Sequence, residues 1–219
     1  MIHHVIWDFD GTLFDTYPLM TRAFHAALAE MRCPDLPSPG QVLARMKISM
    51  GEAFDAFVTG RGLSVEAFTA VYRPLRLRLE AEEARPFPGI RELCADIRAA
   101  GGENYIFTHR SCSALPMLEN QGMTAYFAEI VTMDDGFPRK PAPDAIDHLV
   151  ECHGLARADT IMIGDRELDV RSGRNAGVHT CLIADPAPAE TCAERVVADV
   201  AGLYEVIGIG GEKERQAEI

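Results

Sequence analysis

The sequence is poor in basic residues and contains no long uninterrupted apolar run. Its 21 lysines and arginines stand against 33 aspartates and glutamates, a formal net charge of −12. General nucleic-acid binding needs a basic face, so this class is not expected, and an anionic membrane is an unfavourable partner for the same reason. No stretch reaches the roughly 18 apolar residues of a membrane span. Because no basic region followed by an apolar stretch opens the chain, we expect no signal peptide and a cytoplasmic protein.

Cysteine pairs are also missing. None of the six cysteines forms a C-x-x-C pair, so neither a zinc site nor a disulfide framework is predicted. What remains is ordinary for a globular protein, with 219 residues, 47% of them hydrophobic and 25% charged. That length allows one large domain or one domain with a smaller insert.

Short apolar segments rich in β-formers alternate with amphipathic helical stretches along most of the chain. The predicted strands are 2–7, 104–108, 129–133, 160–164 and 178–183. One predicted helix precedes each of the last four strands, at 90–100, 112–121, 142–153 and 167–176. Such alternation predicts a parallel sheet with helices on both faces.

The alternation fails after the first strand, where the sequence predicts helices only. These helical pieces fall near 16–32, 39–46, 50–59 and 64–83, and Pro74 predicts a kink or break in the last one. We therefore predict an α/β fold: a Rossmann-like parallel sheet core from residues 1–15 and 85–219, with an inserted all-helical cap domain at 16–84. The Gly-rich and then charged tail at 208–219 is expected to fray.

Polar side chains follow four of the predicted strands. They are Asp8 and Asp10, then Thr108, His109 and Arg110, then Lys140, and finally Asp165 and Asp169. Ligands of an open parallel sheet bind at the carboxyl ends of its strands, so we expect these groups to meet at one edge. Taken singly, each has a simpler explanation, such as a turn at Asp10-Gly11 or a helix cap at Thr108.

Taken in order, the residues resemble the haloacid dehalogenase-like hydrolases. DFDGT (8–12) is similar to that family's first motif, Thr108 to the second, Lys140 to the third and GDRELD (164–169) to the fourth. The resemblance covers nearly the whole chain. The helical insert is similar to the C1 cap of the branch that contains phosphoglycolate phosphatase and β-phosphoglucomutase.

The resemblance implies a magnesium-dependent phosphoryl transfer. Asp8 and Asp165 would bind Mg²⁺ through side-chain oxygens and Asp10 through its backbone carbonyl, in keeping with the oxygen ligands this ion prefers. Asp8 would also attack phosphorus and become an aspartyl phosphate. Asp10 would protonate the leaving oxygen and then activate the water that hydrolyses the intermediate.

Four further residues would support the phosphoryl group and the acids. The resemblance makes Thr108 and Lys140 the groups that hold the phosphoryl oxygens. Gly11 allows a close approach of the backbone to the phosphate. Asp169 is expected to orient Lys140 or a metal-bound water.

The residues expected to contact the rest of the substrate are less constrained. His109 and Arg110 lie at the predicted pocket edge, although relatives more often carry an amide such as Asn at the position of His109. In the cap, Arg45 and Lys47 are candidates for a substrate carboxylate, sugar or distal phosphate, with a solvated helix end as the alternative.

The leading hypothesis is a phosphatase for a small phosphorylated metabolite, phosphoglycolate or a sugar phosphate. A phosphomutase on the same scaffold is the first alternative, because it needs the same Asp8 and Asp10. A non-catalytic binding or regulatory protein is the alternative from another class, since a fold does not fix a function. Neither nucleic acid nor membrane is an expected partner, and the sequence leaves monomer and homodimer open.

Overall fold

The structure is a computed structural model and describes residues 2–209. Within that range the chain forms six β-strands and nine α-helices. The strands are β1 (His4–Trp7), β2 (Glu103–Phe107), β3 (Phe127–Val131), β4 (Thr160–Gly164), β5 (His179–Ile183) and β6 (Arg195–Val197). The helices are α1 (Tyr17–Glu30), α2 (Pro39–Ile48), α3 (Met50–Phe57), α4 (Val65–Glu83), α5 (Ile90–Ala99), α6 (Ala114–Asn120), α7 (Asp144–His153), α8 (Glu167–Asn175) and α9 (Val200–Ile207). The predicted fraying of the tail falls from residue 210 onward outside the described residues.

All six strands belong to one parallel sheet in the order β3-β2-β1-β4-β5-β6. The first strand is therefore central, with β2 on one side and β4 on the other. The register places Trp7 opposite Ile106 of β2 and Ile163 of β4, so the three strands end level with one another. The predicted α/β fold with a parallel, Rossmann-like sheet is confirmed.

Helices pack on both faces of the sheet because successive side chains of a strand point in opposite directions. Ile6 and Phe107 belong to the buried cluster that contains Ile146 of α7. On the other face the buried Asn104 accepts a hydrogen bond from the Trp7 indole N–H at 2.9 Å and donates one to the Cys94 carbonyl of α5 at 3.0 Å. The amide thus satisfies two polar groups inside the core.

Helices α1 to α4 form the second compact unit. Serine caps fix where three of them begin: Ser38 with Gln41 makes a capping box for α2, and Ser49 and Ser64 cap α3 and α4. Their apolar faces meet in an aromatic cluster. Its members are Phe24, Phe54, Phe68 and Tyr72, with ring centres 4.7 to 6.3 Å apart.

Of the kink or break predicted at Pro74, the break is wrong, because α4 runs without interruption from Val65 to Glu83, and the kink stays a prediction. Proline removes one helical N–H and so one backbone hydrogen bond, and its ring also clashes with the preceding turn. Before Pro74, the helix is anchored by the buried side chains of Phe68 and Tyr72. Just after Pro74, Leu75 packs against the same cluster. Tertiary packing therefore outweighs the local preference at this position.

The chain divides into two compact units whose boundaries lie one residue from the predicted ones. One unit comprises residues up to Phe14 and from Pro86 onward, and the other comprises Asp15–Arg85. The assignment of these units as catalytic core and cap remains a prediction.

Candidate active site

Three of the predicted site residues begin the loops that leave the carboxyl edge of the sheet. Asp8 follows β1, Thr108 follows β2 and Asp165 follows β4. The Asp8 N–H still donates to the Ile163 carbonyl, and the Thr108 N–H to the Val131 carbonyl, each at 2.9 Å. The sheet ladder therefore extends into the site and fixes where these side chains start.

Lys140 joins two of the acids. Its Nζ donates to Oδ1 of Asp8 at 2.6 Å and to Oδ1 of Asp169 at 2.9 Å, and its side chain is 0% exposed. The ammonium also lies 4.7 Å from the centre of the Phe107 ring. A buried cation requires such compensation, so this lysine is an integral part of the site rather than a solvated loop charge.

Asp169 is fixed from two further directions. Its Oδ2 accepts the backbone N–H of Arg166 at 3.0 Å. A Cβ added at Gly164 would lie 2.3 Å from the Cβ of Asp169, so only glycine fits at the end of β4. The GD-x-x-x-D spacing thus places the Asp169 carboxylate, from the first turn of α8, beneath the strand end.

Asp8, Asp165 and Asp169 offer carboxylate oxygens that all lie within 4.8 Å of one another. Within the described residues, Oδ2 of Asp8 is buried and has no hydrogen-bond partner. An acceptor in that position, among hard oxygen donors, fits a divalent cation such as Mg²⁺. The cluster also contains Asp169, which was expected to orient Lys140 or a metal-bound water rather than to bind the metal itself. Binding by the Asp10 carbonyl remains a prediction.

Arg166 accompanies the same three acids. Its guanidinium nitrogens lie 3.9 Å from Asp8 Oδ2, 3.7 Å from Asp165 Oδ1 and 3.9 Å from Asp169 Oδ2. These distances exceed those of direct hydrogen bonds, so the arginine acts as a nearby positive charge. From the sequence alone, Arg166 could not be distinguished from the surface arginines.

Burial and the neighbouring charges shift the pKa of Asp8. Burial, and then repulsion from Asp169, raise the pKa of Asp8 to about 6, although Lys140 and Arg166 oppose the rise. A divalent cation at the open Oδ2 would favour the ionised form. The nucleophile expected from the sequence therefore lies in an environment that makes a metal counter-charge chemically appropriate.

His109 contacts the protein backbone rather than open space. Its Nε2 accepts the Lys140 N–H at 2.7 Å, and burial followed by the charges of Lys140, Arg139 and Arg166 lowers its pKa to about 3. A neutral ring that accepts at Nε2 carries its proton on Nδ1. The Arg139 Nη2 lies 3.3 Å from Nδ1. Because both nitrogens then carry hydrogen, this contact is not a hydrogen bond. His109 thus holds the loop that carries Lys140, while its predicted substrate contact remains a prediction.

Asp10 and Gly11 lie in the turn after β1. Gly11 has φ of +78°, a left-handed conformation that favours glycine, and its N–H donates to the Phe14 carbonyl at 2.9 Å. The Asp10 carboxylate forms a paired contact with Arg110, whose Nη2 lies 2.5 Å from Oδ1 and whose Nε lies 3.3 Å from Oδ2. Sequence reasoning missed this pair, because the two residues are 100 positions apart.

The cap candidates Arg45 and Lys47 belong to the other compact unit. Arg45 forms an exposed ion pair with Glu52 at 3.3 Å. The Lys47 ammonium lies 5.4 Å from the centre of the Tyr17 ring. Both therefore have structural partners, and their predicted role in substrate binding remains a prediction.

No helix among residues 2–209 combines the length and the apolar character that crossing a bilayer requires.

Comparison with known proteins gives matches over most of the chain. The model of a family described as haloacid dehalogenase-like hydrolase matches residues 5–183. A phosphoglycolate phosphatase from Caulobacter vibrioides is 28% identical over 82% of this chain and 78% of its own length. The pyrophosphatase PpaX from Halalkalibacterium halodurans is 25% identical over 95% of this chain and 98% of its own. The crystal structure of a hydrolase from Streptococcus pneumoniae TIGR4 aligns with a TM-score of 0.67 and 30% identity, over 95% of this chain and 99% of that one.

Proposed function

The chain belongs to the haloacid dehalogenase-like hydrolases, and on that premise we propose that it is a magnesium-dependent phosphatase acting on a small phosphorylated metabolite. The observation that carries the proposal is the buried Lys140, which bridges Asp8 and Asp169 beside Asp165 at the carboxyl edge of the sheet. Relatives named phosphoglycolate phosphatase and pyrophosphatase support a small phosphoester or pyrophosphate as substrate. A cytoplasmic location and the choice of monomer or homodimer stay predictions.

Asp8, Asp165 and Asp169 are the residues that would hold Mg²⁺, with the Asp10 carbonyl as a further expected ligand. When bound, the ion would supply positive charge that offsets the repulsion between an anionic nucleophile and a phosphate ester. The three carboxylates lie close enough together to share one ion.

The proposed reaction has two steps, both carried by residues of the site. An Asp8 oxygen attacks phosphorus, the bond from phosphorus to the leaving oxygen breaks, and that oxygen takes a proton from Asp10. A water molecule then attacks the phosphorus of the aspartyl phosphate and gives a proton to Asp10. The bond between phosphorus and the Asp8 oxygen breaks, inorganic phosphate leaves, and the Asp8 carboxylate is regenerated. Lys140 and Thr108 stabilise the phosphoryl oxygens during both transfers.

The test is phosphate release by the purified protein with Mg²⁺, from phosphoglycolate, hexose phosphates, nucleoside monophosphates and pyrophosphate. We expect one substrate to be turned over much faster than the others, activity to disappear with EDTA and return with Mg²⁺, and Asp8→Asn to be inactive. Acid-quenched wild-type enzyme should carry a phosphoryl group on the peptide that contains Asp8.

Asp199→Asn is a matched control, because Asp199 caps α9 and asparagine caps equally well. It should keep the wild-type rate. Absence of phosphate release from every substrate by folded, magnesium-supplied protein would refute the proposal, and so would an Asp8→Asn variant of normal activity.

A further inference from the structure

The side chain of Arg110 is buried and contacts Asp10 rather than solvent. Its Nη2 lies 2.5 Å from Oδ1 of Asp10 and its Nε 3.3 Å from Oδ2, so each carboxylate oxygen faces its own N–H group. The Arg110 side chain is 1% exposed, whereas that of Asp10 is 21% exposed. A paired contact of this kind fixes the plane of a carboxylate as well as its position.

Arg110 is itself held on several sides. Its backbone N–H donates to Oγ1 of Thr108 at 3.1 Å, and its carbonyl accepts the Met133 N–H at 2.8 Å. The guanidinium carbon lies 5.6 Å from the centre of the Phe9 ring, the residue that precedes Asp10. The arginine therefore links the end of β2 to the turn after β1 through a rigid path.

We propose that Arg110 is a positioning residue for Asp10. This inference rests on the proposed function, in which Asp10 is the general acid and base. Both tasks of Asp10 need its carboxyl group beside the reacting oxygen. A free aspartate side chain in a partly exposed turn samples several rotamers, and the two guanidinium contacts restrict it to one. This role replaces the substrate contact expected from the sequence, because a guanidinium that is almost fully covered and bonded to both Asp10 oxygens offers little surface to a substrate.

The dependence on leaving group tests this role. Alkyl phosphates have poor leaving groups that need a proton from an acid, whereas aryl phosphates such as 4-nitrophenyl phosphate leave with little assistance. The quantity to compare is kcat/KM, which reports the steps up to phosphoryl transfer from the ester. Asp10→Asn serves as the reference for complete loss of the acid.

We expect Arg110→Gln to lower kcat/KM for the preferred alkyl ester by about 100-fold, the scale of a roughly 1 Å misplacement of a catalytic group. The same variant should lose less than about 10-fold with the aryl ester, because assistance to its departure matters less. The loss should appear in kcat rather than KM. Arg110→Lys keeps the charge but not the paired geometry, so its activity should lie between those of Arg110→Gln and the wild type.

Arg157→Gln is the matched control. Arg157 forms an ion pair with Asp147 at 2.7 Å, which the substitution removes. Arg157 lies just before the first residue of β4, and therefore at the edge of the sheet opposite the site. Its two kcat/KM values should both match the wild type.

The other outcomes each contradict the proposal. Equal losses with both esters would indicate a structural role, and an increased KM with weaker inhibition by inorganic phosphate would indicate a direct substrate contact. An unchanged or faster alkyl reaction would show that Arg110 does not assist Asp10. Failure of the proposed function itself is distinct, since the wild type would then release no phosphate from any ester.

Discussion

Neighbouring groups set the protonation state of individual residues in the site. His109 is the plainest case: its ring accepts the Lys140 N–H, and burial together with three nearby cations lowers its pKa from 6.5 to about 3. The ring is therefore neutral in the folded protein at neutral pH. A depressed pKa means that protonation favours the unfolded chain, so this stabilisation is complete above pH 6.5 and is lost as pH falls from 6.5 towards 3.

The substitution His109→Asn separates this effect from other acid-induced changes. The Asn amide oxygen is an acceptor for the Lys140 N–H but carries no proton that titrates. We expect the wild type to lose about 1 kcal/mol more free energy of unfolding than the variant between pH 7 and pH 5, a value reduced from the full linkage because the ring is partly solvated. Urea denaturation at both pH values measures the difference. Equal losses in the two proteins would mean that His109 titrates normally in the fold.

Helices and strands were predictable from the sequence where apolar residues follow a clear pattern along the segment. The five predicted strands all occur within a few residues of their expected bounds, since each is a short segment rich in apolar and β-branched residues. Strand β6 was missed because it has three residues, of which Arg195 and Val196 are exposed and carry no alternation. At the site, the order of residues along the chain predicted which strand ends carry acids. The sequence holds no information on the pairing of Arg110 with Asp10, because that contact depends on the register of two strands.

Pro74 shows how packing outweighs a local rule within one helix. It lies in the interior of α4 on an exposed position, and the helix passes through it. We expect Pro74→Ala to raise the free energy of unfolding by about 1–3 kcal/mol, because it restores a helical N–H and removes the ring's clash with the preceding turn. Urea denaturation with an unchanged m-value measures this gain.

Pro39→Ala provides the matched control for Pro74→Ala. Pro39 is the first residue of α2, where the N–H has no helical partner and the fixed φ suits the helix. It should therefore change stability by less than about 0.5 kcal/mol. A Pro74→Ala variant no more stable than the Pro39→Ala variant would show that the helix interior is already adapted to proline.

Two hydrophobic clusters within residues 2–209 share no residue. The buried residues of one, from Tyr17 to Tyr72, all lie in the helical unit. Those of the other, from Ile6 to Val178, all lie in the sheet unit. A cavity made inside one cluster therefore removes contacts among residues that all lie in one unit. The catalytic candidates Asp8, Lys140 and Asp165 belong to the sheet unit. We therefore expect a cavity inside the helical cluster to leave the contacts among these three residues in place.

Phe24→Ala tests this separation. Phe24 is fully buried and its ring centre lies 4.7 Å from that of Phe68, so its removal should cost about 3–5 kcal/mol within the helical unit. Hydrogen–deuterium exchange should accelerate in α1 to α4 and stay unchanged in strands β1 to β5. Ile146→Ala, which opens the sheet-unit cluster from α7, should give the reverse pattern. Faster exchange across both units in either variant would show that the chain unfolds as one cooperative body, because damage to one cluster would then lower the stability of every protected amide by the same amount.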